Sequence, residues 1–156
     1  MTQRTTPFVT PGLIVVDAPA AIDFYARAFG AVEEQRLTDP QIGGVVVHAR
    51  LRIGDSIVTL KEEAKEWGDL SPKALGGSPA ILTLDVDDPD AVFARALKAG
   101  AKEIFPLKDQ FYGYRQGRIE DPFGFQWIIS KQLEELSVDE MKTRMAKWWE
   151  GQPKKK

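Results

Sequence analysis

Two stretches of the sequence decide the fold: residues 16–31, VDAPAAIDFYARAFGA, and residues 86–101, VDDPDAVFARALKAGA. Aligned without a gap at an offset of 70, they are identical at seven of 16 positions, including a proline and the penultimate glycine. Average composition would give roughly one identity. The same offset pairs Gly54 with Gly124 further along the chain. Two matches at one offset indicate a duplicated module, so both halves should fold alike.

Each copy is typical of a βαβββ unit. Asp17 and Asp87 are expected to cap the helices, and Gly30 and Gly100 to end them in the left-handed conformation. Residues rich in β-branched and aromatic side chains, separated by turn signals, predict four strands in each copy. In the first copy the strands lie near residues 8–16, 31–38, 44–53 and 56–61; in the second, near 80–86, 101–107, 113–120 and 125–130.

The sequence therefore predicts an α+β domain over residues 1–136, built from two tandem βαβββ modules at about 8–61 and 80–130. Residues 62–79 are rich in Gly and Pro and are interpreted as a loop joining the modules. Residues 137–150 open with a capping box and predict an amphipathic helix that packs on the domain or on a second subunit. Its apolar stripe is Val138, Met141, Met145, Trp148 and Trp149, and residues 151–156 form a basic tail.

Composition excludes several kinds of site. The 156 residues include no Cys and one His, His48, which rules out disulfide scaffolds, zinc ribbons, iron–sulfur clusters and any site needing two imidazoles from one chain. The net charge of −2 gives no electrostatic reason to expect nucleic-acid binding. No run of residues has the length and apolar character of a membrane span or a secretory signal, so a cytoplasmic location is expected.

Three segments carry a family resemblance: AIDFY followed by AFG at residues 21–30, HARLRIGD at residues 48–55, and DQFYGYRQGRIEDPFGFQW at residues 109–127. With the duplicated module, they resemble the vicinal oxygen chelate superfamily, and within it the PhnB-like branch of the glyoxalase/bleomycin-resistance family. The resemblance implies two sheets curled into a cup-like cavity. It implies no single activity, because the superfamily includes enzymes and proteins that only bind small molecules.

The resemblance also locates where a metal would sit. In metal-dependent members each module supplies a His from its first strand and a carboxylate from its last. Alignment places these positions at Thr10 and Ala80, and at Val58 and Ile128. None of these four side chains is an imidazole or a carboxylate, and Val, Ala and Ile cannot coordinate a cation. We therefore expect neither a metal nor another cofactor.

Strand alternation identifies the residues that would line the cavity. Along residues 45–53, the apolar side chains at odd-numbered positions should face the helices, leaving Val46, His48, Arg50 and Arg52 on the cavity face. Arg50 and Glu120 could form an ion pair across the modules, and Arg118 could bind an anionic ligand or pair with Glu120 or Asp121. The candidate ligand-binding residues are His48, Arg50, Trp67, Phe111, Tyr112, Tyr114, Arg118 and Glu120. His48 is also the candidate for a catalytic role, but no acidic residue that would orient it is evident.

These observations favour metal-independent binding of a small aromatic or amphipathic molecule, similar to the bleomycin-resistance proteins that sequester an antibiotic. The resemblance further implies a homodimer, because cavities in such proteins often lie between two subunits. One alternative is a glyoxalase-like lyase, isomerase or dioxygenase with a noncanonical site around His48, Arg118 and Tyr114. Another is a protein that acts only through its surface, with the stripe of residues 138–149 as the contact.

Overall fold

The computed structural model describes residues 9–153. Within these residues the first module comprises β1 (Gly12–Val15), α1 (Ala18–Phe29), β2 (Val32–Asp39), β3 (Val45–Ile53) and β4 (Ser56–Glu62). Its sheet has the strand order β1-β4-β3-β2, with β1 parallel to β4 and the other pairs antiparallel. The predicted βαβββ order is confirmed for this module. Phe8, the first residue predicted for the opening strand, and the basic residues 154–156 lie outside the described part of the chain.

The second module has the same architecture. It comprises β5 (Ile81–Asp85), α3 (Pro89–Lys98), β6 (Lys102–Asp109), β7 (Tyr114–Glu120) and β8 (Gln126–Gln132). Its strands follow the equivalent order β5-β8-β7-β6, again with one parallel pair. The α+β class and the tandem arrangement predicted from the repeat are therefore confirmed.

The linker has more structure than the loop predicted from its Gly and Pro content. Lys65–Trp67 form a 3-10 turn, and α2 (Pro72–Leu75) is a single helical turn capped by the buried side chain of Ser71. This turn packs on the β7–β8 connection so closely that a Cβ on Gly124 would lie 2.8 Å from the Pro72 Cβ atom. The linker therefore packs against the second module as well as joining the two halves.

The helix caps differ from the gapless alignment at one point. Asp17 caps α1 by accepting from the amide of Ala20, but the residue that caps α3 is Asp88 and not Asp87. The prediction for Asp87 was wrong because α1 begins at Ala18 and α3 at Pro89, so the helices begin at an offset of 71 and not 70. Gly30 ends α1 in the left-handed conformation, as predicted. The same prediction for Gly100 was wrong, because the residue that ends α3 is Ala99, in the right-handed conformation.

One apolar core lies on the helix-facing sides of both sheets, and the two helices contact each other within it. Ala49, Leu51 and Ile53 of β3 contribute to this core, as predicted from strand alternation. The aromatic rings of Tyr25 and Phe29 on α1 lie 5.6 and 4.8 Å from the Trp127 ring of the second module. Trp127 thus faces the helices, as expected, and α1 joins the two modules.

Val46, assigned to the cavity face, and Val58, assigned to a metal position, both belong to the core instead. Val46 is 2% exposed and packs in the core because an extra residue in β3, between Val46 and His48, reverses the alternation. Val58 pairs with the core residue Leu51, so it also faces the helices. The residue on β4 that matches Ile128 is Thr59, since Thr59 pairs with Arg50 as Ile128 pairs with Arg118.

The C-terminal helix α4 (Val138–Glu150) has the predicted capping box, in which Ser137 and Glu140 each accept from the other's backbone amide. None of its residues is buried, and Trp149 remains 62% exposed. Among residues 9–153, no helix has the length and apolar character needed to cross a membrane.

Candidate functional site

A cleft of about 340 Å³ lies between α4 and the face of the second sheet that points away from α1 and α3. We call it the second-sheet cleft. Gly117 and Ile119 of β7 are buried toward the helices, so the intervening Arg118 extends from the opposite face. The side chains that line the cleft include Phe105, Lys108, Tyr112, Arg118, Ile128 and Trp148. The volume is at the lower end of the range for small-molecule sites, which is about 300–1,000 Å³.

Arg118 on β7 is one of the two cationic residues that line this cleft, and Lys108 is the other. Its guanidinium carbon lies 5.2 Å from the centroid of the Phe105 ring, a cation–π distance. One terminal nitrogen makes a long 3.4 Å hydrogen bond to the side-chain oxygen of Gln126. The buried Nε atom has no hydrogen-bond partner among residues 9–153. Arg118 therefore has donor capacity that the described part of the chain does not use.

Tyr112 belongs to a hydrogen-bonded chain that fixes the polar side chains beside the cleft. Its hydroxyl donates to the Gln116 Oε1 atom at 2.8 Å, and the Gln116 Nε2 atom donates to the buried Ser130 hydroxyl at 3.0 Å. Burial raises the pKa of Tyr112 above its ordinary value, and the positive charge of Arg118 opposes this shift. Tyr112 is therefore a neutral hydrogen-bond donor at neutral pH.

The α4 helix contributes Trp148 to the cleft. The Trp148 ring lies 5.6 Å from the Phe111 ring, which in turn contacts Tyr112 edge to face. Arg144, one turn earlier on α4, forms an ion pair with Glu134 and donates to the Phe111 carbonyl. These contacts determine where α4 crosses the second sheet.

A second cleft, of about 440 Å³, lies at the end of the first sheet where β3 begins and β4 ends, and we call it the first-sheet cleft. Its lining includes Trp67, which is 80% exposed, and it is predominantly acidic. Several of its charged groups already have partners. Glu62 accepts from the backbone amides of Ala18 and Val46, and Lys61 pairs with Asp69.

The eight predicted ligand-binding residues do not form one cluster within the chain. Tyr112 and Arg118 line the second-sheet cleft, Phe111 borders it, and Trp67 lines the first-sheet cleft. The other four are outside both linings: His48 lies on β3 opposite Leu37, Arg50 beside Glu34, and Glu120 at the end of β7 opposite Gln126. Tyr114 lines a separate cleft with Lys131, but its ring lies 6.1 Å from that of Tyr112.

The proposed Arg50–Glu120 ion pair was wrong, because Arg50 and Arg52 both pair with Glu34. Glu34 is an extra residue in β2, at a bulge between Glu33 and Gln35, which brings its carboxylate to the two arginines. In the second sheet the equivalent bulge residue is Ile104, between Glu103 and Phe105. The matching bulges make Arg118, and not Glu120, the counterpart of Arg50.

Asp121 has a role that strand alternation did not reveal. It is 2% exposed and accepts hydrogen bonds from the Tyr25 hydroxyl at 2.6 Å and the Trp127 indole at 2.9 Å. The backbone amides of Phe123 and Phe125 donate to its other oxygen. Burial raises the pKa of Asp121, whereas these hydrogen bonds oppose the shift. Asp121 is thus directed toward α1 and is not the partner of Arg118.

Eight of the ten residues that line the second-sheet cleft were absent from the predicted ligand-binding set, among them Lys108 and Trp148. Lys108 follows Phe105–Leu107, where the pairing of β6 with β7 is irregular, so alternation gave no reliable face for it. Trp148 belonged to the predicted apolar stripe, but its position depends on the docking of α4. The stripe predicted a contact without specifying which surface it would cover.

Comparison with known proteins gives the family. Residues 7–129 match the Glyoxalase/Bleomycin resistance protein/Dioxygenase superfamily. The chain belongs to this superfamily. It is 39% identical over 154 residues to the uncharacterized protein Mb0911c of Mycobacterium bovis. The matched region covers 97% of this chain and 100% of that protein.

Two solved structures have a similar fold. TioX from Micromonospora sp. ML1 is 27% identical, with a TM-score of 0.61 over 81% of this chain and 99% of TioX. FosX, the fosfomycin resistance protein of Listeria monocytogenes solved with Mn(II) and sulfate, is 14% identical, with a TM-score of 0.62 over 91% of this chain and 99% of FosX. At that identity, the likeness to FosX shows the fold alone.

The residues at the metal positions implied by the superfamily do not fit a divalent cation. The predicted first-strand positions, Thr10 and Ala80, carry no imidazole or carboxylate. The first-strand residues that pair with Thr59 and Ile128 are Gly12 and Thr83, which carry none either. Correcting Val58 to Thr59 therefore still brings no imidazole or carboxylate to these positions. Within residues 9–153, no three His, Asp or Glu side chains are grouped so that they could bind a metal ion.

Proposed function

We propose that this superfamily member binds a small aromatic or amphipathic molecule in the second-sheet cleft without a metal ion. The observation that carries the proposal is the lining of that cleft. Aromatic side chains of Phe105, Tyr112 and Trp148 surround a strand residue, Arg118, whose buried Nε atom has no partner in the described chain. Apolar walls with a few directed polar groups are typical of small-molecule sites.

Metal independence rests on the side chains at the implied ligand positions, which lack suitable donors. Phe105 and Trp148, by contrast, offer apolar contact area that needs no cation. Binding thus comes from ring contacts and hydrogen bonding. The names of the superfamily, which include bleomycin resistance, are consistent with sequestration of a small molecule.

We further propose that the protein is a homodimer. The α4 helix exposes Met145, Trp148 and Trp149 by 41%, 40% and 62%, a concentration of apolar surface on one short element. Light scattering should give twice the 17.4 kDa chain mass for the wild type. Trp149→Glu should shift the protein toward monomer, whereas Lys147→Glu on the same helix should not. A wild-type monomer would contradict the dimer and favour the alternative in which the stripe binds another protein.

The enzymatic alternative receives less support from the geometry. Tyr114 and Arg118 both lie on β7, and the Tyr114 ring lies 6.1 Å from that of Tyr112, but His48 lies on β3 of the first sheet and lines neither the first-sheet nor the second-sheet cleft. The PhnB-like branch and a cytoplasmic location stay predictions from the sequence.

A cavity-filling substitution tests the proposed function. Ile128 lines the second-sheet cleft, so Ile128→Trp should fill it, whereas Ile128→Val should leave it open. Calorimetric titration of EDTA-dialysed protein with naphthalene-based ligands should give one saturable site in the wild type and in Ile128→Val. Ile128→Trp should lose that site while keeping the wild-type circular dichroism spectrum. Binding that persists in Ile128→Trp, or that needs added Mn²⁺ or Zn²⁺, would contradict the proposal.

A further inference from the structure

Two arginines at equivalent positions in the two sheets differ in their hydrogen-bond partners. Arg50 and Arg118 occupy matching positions: each pairs across the sheet with β4 or β8, and each lies next to a bulge on β2 or β6. In the first sheet the bulge residue is Glu34, whose carboxylate accepts from the Arg50 Nε atom at 3.1 Å. In the second sheet the bulge residue is Ile104, which has no carboxylate. The Nε atom that Glu34 neutralises in one module is thus the atom without a partner in the other.

No carboxylate of residues 9–153 comes within ion-pair distance of Arg118. Asp121, the nearest acid in the sequence after Glu120, is occupied by four donors on the helix side. The second-sheet cleft adds a further cation, Lys108, and no Asp or Glu lines it. The first-sheet cleft has the opposite character, with Asp39, Glu62, Glu63, Glu66 and Asp69 in its lining.

From this asymmetry we infer that the ligand of the second-sheet cleft is an anion: an aromatic ring bearing a carboxylate, with the carboxylate on Arg118. The inference rests on the proposed function and specifies its ligand class. A carboxylate in the cleft would accept charge-assisted hydrogen bonds from the Arg118 guanidinium, and the ring would contact Trp148, Tyr112 and Phe105. The Tyr112 hydroxyl is committed to Gln116, so Arg118 and Lys108 are the groups that select for negative charge.

Three naphthalene ligands with the same ring and different charge test this class: 2-naphthoate, 2-naphthamide and 2-naphthylmethylamine. Calorimetric titration of the full chain at pH 7 should give an affinity for 2-naphthoate at least about tenfold above that for the amide, and weakest binding for the cationic amine. Arg118→Gln should reduce the affinity for 2-naphthoate to that for the amide and leave amide binding within about twofold. The control Arg115→Gln alters a neighbouring arginine that pairs with Asp90 and Asp109 outside the cleft, and should change neither affinity.

A second variant places a carboxylate at the bulge of β6, where the second sheet has none. Ile104→Glu places an acid at the position from which Glu34 reaches Arg50, on a side chain that is already exposed. It should abolish the preference for 2-naphthoate over 2-naphthamide while retaining amide binding and the wild-type melting temperature. Equal affinities of wild type for naphthoate and amide, or an unchanged preference in Arg118→Gln, would overturn the anionic class but leave the proposed function standing. Failure of all three compounds to bind would overturn both.

Discussion

The hydroxyl of Tyr25 on α1 donates a 2.6 Å hydrogen bond to the Asp121 carboxylate in the turn between β7 and β8. The bond joins the helix of the first module to the DPFG turn of the second, 96 residues away in sequence. The Trp127 indole donates to the same oxygen. Asp121 therefore links the two modules and fixes the turn that ends β7, the strand carrying Arg118.

This link should contribute measurably to stability. Tyr25→Phe removes one donor to a buried carboxylate and should lower the free energy of unfolding by about 1–3 kcal/mol. Asp121→Asn should cost at least as much, because the amide nitrogen would replace one acceptor among four donors. Urea denaturation of both single variants and the double variant should show a loss smaller than the sum. Strict additivity would contradict a shared bond, and Asp109→Asn on the surface serves as the control.

The same pair predicts how stability responds to alkaline pH. Burial, together with the negative charge of Asp121, raises the pKa of Tyr25 well above its ordinary value of 10. The unfolded chain then releases this proton before the folded chain does, so the contribution is fully present below about pH 10 and is lost as pH rises further. Urea denaturation between pH 8 and 11 should show a smaller decrease above pH 10 for Tyr25→Phe than for wild type. Parallel curves would contradict the assigned cause.

The fold was predictable because the repeat constrains both halves at once. The gapless match between residues 16–31 and 86–101 established the helices, and the turn glycines located the later strands. The details failed where the modules differ in length. Arg118 corresponds to Arg50 at an offset of 68 and Ile128 to Thr59 at an offset of 69, so an offset of 70 assigns Val58 to the wrong face.

The site was less predictable because it depends on bulges and on tertiary packing. The bulge in β3 reverses the face of Val46, and the bulge in β2 gives Arg50 its partner Glu34. Strand periodicity cannot show either effect, since both come from a single unpaired residue. The role of Asp121 depends on Tyr25 from the other module, a contact that the DPFG sequence alone does not specify.

Gly117 should be intolerant of a side chain. A Cβ atom there would lie 2.6 Å from a ring carbon of Phe93 on α3 and 2.8 Å from the Leu107 backbone. Gly117→Ala should therefore lower the free energy of unfolding by about 1–3 kcal/mol through overpacking. Gly12→Ala is a matched control, because its Cβ would meet Thr59 at an ordinary 3.5 Å. Equal melting temperatures for the two variants would contradict this packing.

Trp148 should contribute to ligand binding, whereas its neighbour Trp149 should not. Trp148 lines the second-sheet cleft and contacts Phe111, while Trp149 is more exposed and outside that lining. Trp148→Ala should reduce the affinity for 2-naphthoate by about tenfold, as expected for the loss of an aromatic contact of about 1.4 kcal/mol. Trp149→Ala should remain within about twofold, as measured by calorimetric titration. A larger loss in Trp149→Ala would place the binding contact on the outer side of α4.

The most direct test is a crystal structure of the EDTA-dialysed protein grown with 2-naphthoate. The account predicts electron density for the ring against Trp148 and Phe105, with the carboxylate within about 3 Å of a nitrogen of the Arg118 guanidinium and no metal ion at the site. Naphthoate bound only in the first-sheet cleft, or coordinated to a metal, would contradict it.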